Sequence, residues 1–179
     1  MTDDAPVTSS EHRLPGHVRE HVGDLAGSVV VGTDGSAESR AAVRFAAQEA
    51  GARGCPLVVL RAWSLTSAPK PGGAPGVVPP MTDFEAAVSE EIRVEVAAEL
   101  GQDPGVIVVP MPVHATAAQV LVEASRTAAL VVVGHRGHGG FTGLLLGSVS
   151  DHLVRHAHGP VAIVREGRPP TANETDATM

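Results

Sequence analysis

The chain has 179 residues, 43% of them hydrophobic and 18% charged, with a formal net charge of −7. That length suits one domain with a full core, and the composition excludes a disordered chain. The acidic balance and the 2% of aromatic residues leave neither the basic stripe nor the stacking platforms that nucleic-acid binding needs.

Residues 1–26 are polar, with His12, Pro15, His17 and His21 among charges, and read as a flexible extension. Asp3, Asp4 and Glu11 without an apolar segment do not make a secretory signal. No apolar run reaches the roughly 18 residues that span a membrane, so a cytoplasmic protein is expected. A first strand is predicted from Ser28 to Gly32, leading into Thr33, Asp34, Gly35 and Ser36. A helix follows, with Ser36 as N-cap, Glu38 in its first turn, and Ala42, Phe45, Ala46 and Ala50 on one face. Gly51, Gly54 and Pro56 end it, and Cys55, the only cysteine, reads as a small buried thiol.

Leu57 to Trp63 makes the second strand, followed by a Pro- and Gly-rich loop over 64–81 of a length associated with function or mobility. Thr82 with Glu85 has capping-box spacing and opens a helix with Phe84, Val88, Ile92 and Val96 on one side. Val106 to Val109 is read as the third strand. A second capping box, Thr116 with Gln119, opens a helix with Val120, Leu121 and Ala124 inward. Leu130 to Val133 is the fourth strand, Ser148 to His156 the last helix, Val161 to Val164 the fifth strand, and 166–179 a flexible tail. Near-continuous aliphatic strands alternating with helices predict an α/β fold: an open parallel sheet with helices on both faces.

Ligands in such sheets bind beyond the carboxyl ends of the strands, where strand order reverses. Two loops there carry unusual chemistry: Gly32 to Ser36, and the glycine-rich stretch Gly134 to Ser150. In the second, Gly134 and Gly137 are followed after nine residues by Gly147 and Ser148. A glycine-rich turn feeding a helix aims backbone N–H groups and the positive helix end at one point, which suits a phosphate. Gly134 would allow close backbone approach, Gly137, Gly139 and Gly140 would wrap the loop with positive φ, and Arg136 is the one nearby fixed cation. Asp34 could accept from a ribose or base donor, or help hold magnesium.

Several chemistries are absent. A phosphate-binding P-loop needs a lysine after its last glycine, and the only lysine is Lys70. The first βα turn lacks the three-glycine dinucleotide fingerprint, and no nucleophile elbow occurs. His152, His156 and His158 have metal-like spacing without a further ligand, and His135 and His138 lie in the glycine loop without a partner for general-base work. The residues describe a binding site more clearly than a catalytic one.

The pattern Gly134, Gly137, Gly147, Ser148 resembles the nucleotide motif of the universal stress protein family. The resemblance extends through Val31 to Ser36 and through His158 to Arg165, covering about residues 27–165. It implies a five-stranded parallel sheet in the order 3-2-1-4-5, Rossmann-like and akin to adenine nucleotide alpha hydrolases. It implies ATP as ligand, with Mg2+ beside the phosphates. Gly32, Thr33, Asp34 and Ala62 would lie near base and ribose, Gly134, Arg136 and Gly137 along ribose and phosphates, and Gly147, Ser148 and Val149 around the phosphates. A homodimer through Val161 to Val164 and an unknown regulatory partner are also implied. The chain departs from the family pattern at Ala115 to Ala117 and at Ala129, both off the phosphate loop. Three roles stay open at this stage: a regulatory ATP-binding module with at most slow hydrolysis or self-phosphorylation, an ATP-dependent hydrolase or adenylyl transferase, and a nucleotide-free interaction protein.

Overall fold

The computed structural model describes residues 25–72, 79–139 and 145–167. Most of the predicted extension and tail, part of the 64–81 loop, and Gly140 lie outside these residues. Five strands form one parallel sheet: β1 (Val29–Gly32), β2 (Leu57–Trp63), β3 (Val108–His114), β4 (Leu130–Gly134) and β5 (Val161–Val164), in the order β3-β2-β1-β4-β5. Helices α1 (Ala37–Arg53), α2 (Met81–Leu100), α3 (Ala117–Ala124) and α4 (Ser148–His156) connect them.

The aliphatic strands alternate between two cores. Val29, Val31, Leu57, Val59, Leu130 and Val132 point to one face, under Ala42, Ala46 and Ala50 of α1 and all four expected residues of α2. Val30, Val58, Leu60, Val131 and Val133 point to the other, under Val120, Leu121 and Ala124 of α3 and Leu153 of α4. Phe45 is only partly buried against the first core. Leu25, which reads from sequence as part of the extension, is 2% exposed and belongs to the second core.

The third strand lies further along the chain than its sequence pattern indicates. Pro110 and Pro112 interrupt the aliphatic run, yet all seven residues of β3 pair with β2, from Leu57↔Val108 to Trp63↔His114. Leu57 donates to the Ile107 carbonyl, so odd-numbered residues face β2 and both prolines turn their missing N–H outward. An edge strand without those donors resists further strand pairing.

Capping differs between helices. Ser36 caps α1 as expected, its hydroxyl accepting from the Ser39 amide at 3.2 Å. Gly51 lies within α1, which ends at Gly54 in the left-handed conformation, φ 63°. The Thr82–Glu85 box does not form: Pro80 is the N-cap and Thr82 already lies inside α2. Thr116 is the N-cap of α3, but its side chain makes no capping bond.

Candidate functional site

β1 lies at the centre of the sheet, where the chain moves first toward β2 and later returns to β4 on the other side. A cavity of about 790 Å³ opens beyond this switch point. It is within the size range of small-molecule sites. Gly32, Thr33 and Asp34 line it from the tip of β1, and Ala62 lines it from β2. Gly134, Arg136 and Gly137 line it from β4 and the following loop. Gly147, Ser148 and Val149 line it from the entrance to α4. All ten residues singled out in the sequence therefore border one space. On the β2 side its wall is apolar, with Leu60 beside Ala62, and Leu121 of α3 and Val133 of β4 also contribute.

Asp34 joins the two loops. One carboxylate oxygen accepts from the Ser36 amide at 3.0 Å, and the other from the His138 amide at 3.0 Å. The His138 ring also lies 3.4 Å from that second oxygen. Burial acts to raise the Asp34 pKa, but hydrogen bonds from the Ser36 hydroxyl and amide, the His138 amide and the Ser39 hydroxyl outweigh it and lower it from 3.8 to about 2. The carboxylate is therefore charged at neutral pH. Arg61, on β2, donates to the Asp34 carbonyl at 3.0 Å and pairs with Glu91 of α2.

The Thr33 hydroxyl is already engaged, 3.1 Å from Ser39 and 2.5 Å from Glu95. Its side chain links β1 to α2, a role that nothing in the local sequence signals. His138 borders the cavity, whereas His135 is not among its lining residues.

The loop does not wrap by positive φ as expected. Neither Gly137 nor Gly139 has positive φ. A Cβ on Gly137 would collide with Asp34 Oδ2, and one on Gly134 would come within 2.8 Å of the Glu38 backbone in α1. A Cβ on Gly147 would lie 3.2 Å from the Arg136 Cα. These glycines let the loop close on its neighbours. The Gly147 amide donates to His135 O at 2.8 Å, and the Ser150 hydroxyl to Gly134 O at 2.8 Å. Gly147 is the N-cap of α4 with no side-chain capping bond. First-turn amides have no acceptor within their own helix, so these can serve an anion.

Arg136 is not the only cation at the cavity. Asp151 and Arg155 of α4 line it too, paired at 3.0 and 3.1 Å. Their offsets of three and seven residues from Ser148 repeat one helical face, a signal present in the sequence. His152 and His156 have ring centroids 4.4 Å apart, and no cluster of three or more metal-ligating side chains occurs among the described residues. No described helix is long and apolar enough to cross a membrane.

Comparison with known proteins agrees with this architecture. Universal stress protein Rv2623 of Mycobacterium tuberculosis is 37% identical over 139 residues, covering 77% of this chain and 45% of the relative. Rv2005c from the same organism is 39% identical over 142 residues, with the same coverages. The chain thus spans about half the length of these curated relatives. Among solved structures, a universal stress protein in complex with cAMP is 29% identical, with TM-score 0.55, covering 79% of this chain and 98% of that one. The Archaeoglobus fulgidus universal stress protein in complex with dAMP, 20% identical with TM-score 0.51 and coverages of 78% and 98%, shares the fold. Residues 27–165 match the universal stress protein family over the whole sheet, and the chain belongs to that family.

Proposed function

We propose that this protein is a regulatory adenine-nucleotide-binding module whose ligand is ATP, accompanied by magnesium. The observation that carries this reading is the single cavity shared by the β1 tip and the glycine loop. Its apolar wall at Leu60, Ala62 and Leu121 suits a base. The uncapped entrance of α4, with the Ser148 hydroxyl beside it, suits phosphates. Magnesium would arrive on the phosphates, since Asp34 and Asp151 stand apart from any larger ligand cluster among the described residues.

Hydrolysis would be slow. The cavity wall combines Asp34, held by two amides, with Asp151, held by Arg155, and neither carboxylate is poised near neutral pKa as a general base. Nucleotide occupancy would act by ordering the loops that Asp34 joins, in a cytoplasmic homodimer that reports to a protein partner. β5 forms one sheet edge and its four residues are half-buried, which supports pairing with a second copy there.

A second reading, binding of a cyclic or monophosphate adenine nucleotide, is favoured by the 29% identical structure that holds cAMP. Isothermal titration separates the two. ATP with magnesium is expected to release heat and bind more tightly than cAMP, to weaken in Ser148→Ala, and to turn over slowly. Tighter binding of cAMP would favour the second reading, fast turnover would make the protein an enzyme, and absence of heat with any nucleotide would leave an interaction protein. Light scattering across a concentration series tests the dimer.

A further inference from the structure

The cavity continues past the glycine loop along α4, and its wall there is charged. Asp151 and Arg155 lie one and two turns from Ser148, on the same side of the helix, and both line the cavity. Arg155 starts about 10 Å along the axis from Ser148. Helical side chains lean toward the N-terminus, so its guanidinium folds back over the preceding turn. There it meets Asp151 through two hydrogen bonds, Nε to one carboxylate oxygen and an Nη to the other.

A carboxylate in the first turn of α4 favours the helix but repels any phosphate brought to the same end. Arg155 offsets that repulsion as long as its charge stays within reach of both anions, whichever of them its fork holds. The pair is largely exposed, 66% for Arg155 and 49% for Asp151, so exchanging the carboxylate for another anion costs little. A guanidinium presents a planar fork that fits a phosphate as well as a carboxylate.

We propose that Arg155 is a specificity-determining residue that distinguishes nucleotides by the number of their phosphates. It releases Asp151 and takes the terminal phosphate of a nucleoside triphosphate, while the glycine loop and the α4 entrance hold the phosphates nearer the ribose. The arginine supplies the cation that a P-loop lysine supplies elsewhere, and Lys70, the only lysine, is in the loop between β2 and α2. This inference rests on the nucleotide reading of the same cavity.

The test is titration of the full chain with ATP, ADP and AMP in excess magnesium, for the parent, Arg155→Met and Arg155→Lys. Arg155→Met is expected to lose about tenfold in ATP affinity while AMP affinity is unchanged. Arg155→Lys should recover part of the loss, as a point charge without the fork. Thermal melts of the unliganded variants should match the parent, because the exposed ion pair adds little to stability. Equal losses for ATP and AMP, or no loss for ATP, overturn the assignment while leaving nucleotide binding intact. Absence of binding by the parent to all three nucleotides overturns both.

Discussion

Replacing Gly137 with alanine tests how the cavity is closed. The added Cβ runs into Asp34 Oδ2, the oxygen that accepts from the His138 amide. The backbone at Gly137 is not in the left-handed region, so alanine meets a steric obstacle rather than torsional strain. Asp34 must rotate away and give up its bonds from His138 and Ser36. Hydrogen bonds to a charged group contribute about 1.5–3 kcal/mol each, and with Asp34 45% exposed roughly 1 kcal/mol apiece survives screening. Alanine recovers about 0.4–1 kcal/mol by restricting the unfolded chain. The net expectation is a loss of about 1–1.5 kcal/mol. Gly139→Ala is the control: its Cβ meets nothing within 4 Å, and it should be neutral or slightly stabilising. Urea unfolding can be followed by the fluorescence of the single tryptophan, Trp63, which is 3% exposed and stacked on Phe84. The decisive comparison is a double-mutant cycle with Asp34→Ala, in which Gly137→Ala should lose its cost. An equal cost in both backgrounds would refute the steric argument.

Acid should weaken the same contact. The Asp34 pKa falls from 3.8 to about 2 on folding, so its contribution is complete above about pH 4 and is lost as pH drops from there through 2. The full shift corresponds to roughly 2 kcal/mol, and exposure leaves about 1 kcal/mol; Asp34→Asn should flatten this part of the acid stability curve. Leu121→Ala removes a side chain that is 1% exposed and that sits where a Cβ on Gly32 would come within 2.8 Å. It should cost about 2–5 kcal/mol in urea and also weaken nucleotide binding by widening the apolar wall. Gly159→Ala would press its Cβ against the Ser125 carbonyl, which belongs to backbone that cannot easily move. A loss of about 1–3 kcal/mol is expected from thermal unfolding, whereas Gly167→Ala, with open space around it, should change nothing.

The sheet was legible because β1, β4 and β5 are short aliphatic runs and β2 opens with one, Leu57 to Leu60. β3 was not, since proline normally signals the end of a strand, and only the edge position makes Pro110 and Pro112 harmless. The Thr82–Glu85 spacing misled for a related reason: capping-box geometry requires the helix to begin after the threonine, and Pro80 starts it earlier. All ten residues expected at the site line one cavity because strand ends and glycine loops are local features that a parallel sheet gathers automatically. Arg61, Glu95 and Asp151 were missed for opposite reasons. The first two meet Asp34 and Thr33 only through tertiary packing, whereas Asp151 lay within reach of a helical-periodicity argument.

The glycine motif has two demands on it, and they call for different experiments. Gly134, Gly137 and Gly147 each abut protein: the Glu38 backbone, the Asp34 carboxylate and the Arg136 backbone. A protein that kept this loop for packing alone would need the same three glycines. Substituting them therefore tests whether the cavity forms, and a loss of nucleotide binding in such variants would not identify what the cavity holds. Ser148 and Arg155 are different. The Ser148 side chain does not cap α4, and Arg155 is an exposed side chain paired with Asp151. Neither contributes appreciably to the core, so packing gives no reason for their place at the cavity. Ligand specificity is therefore to be read from Ser148 and Arg155, with the glycine variants serving to show that the loop must close first.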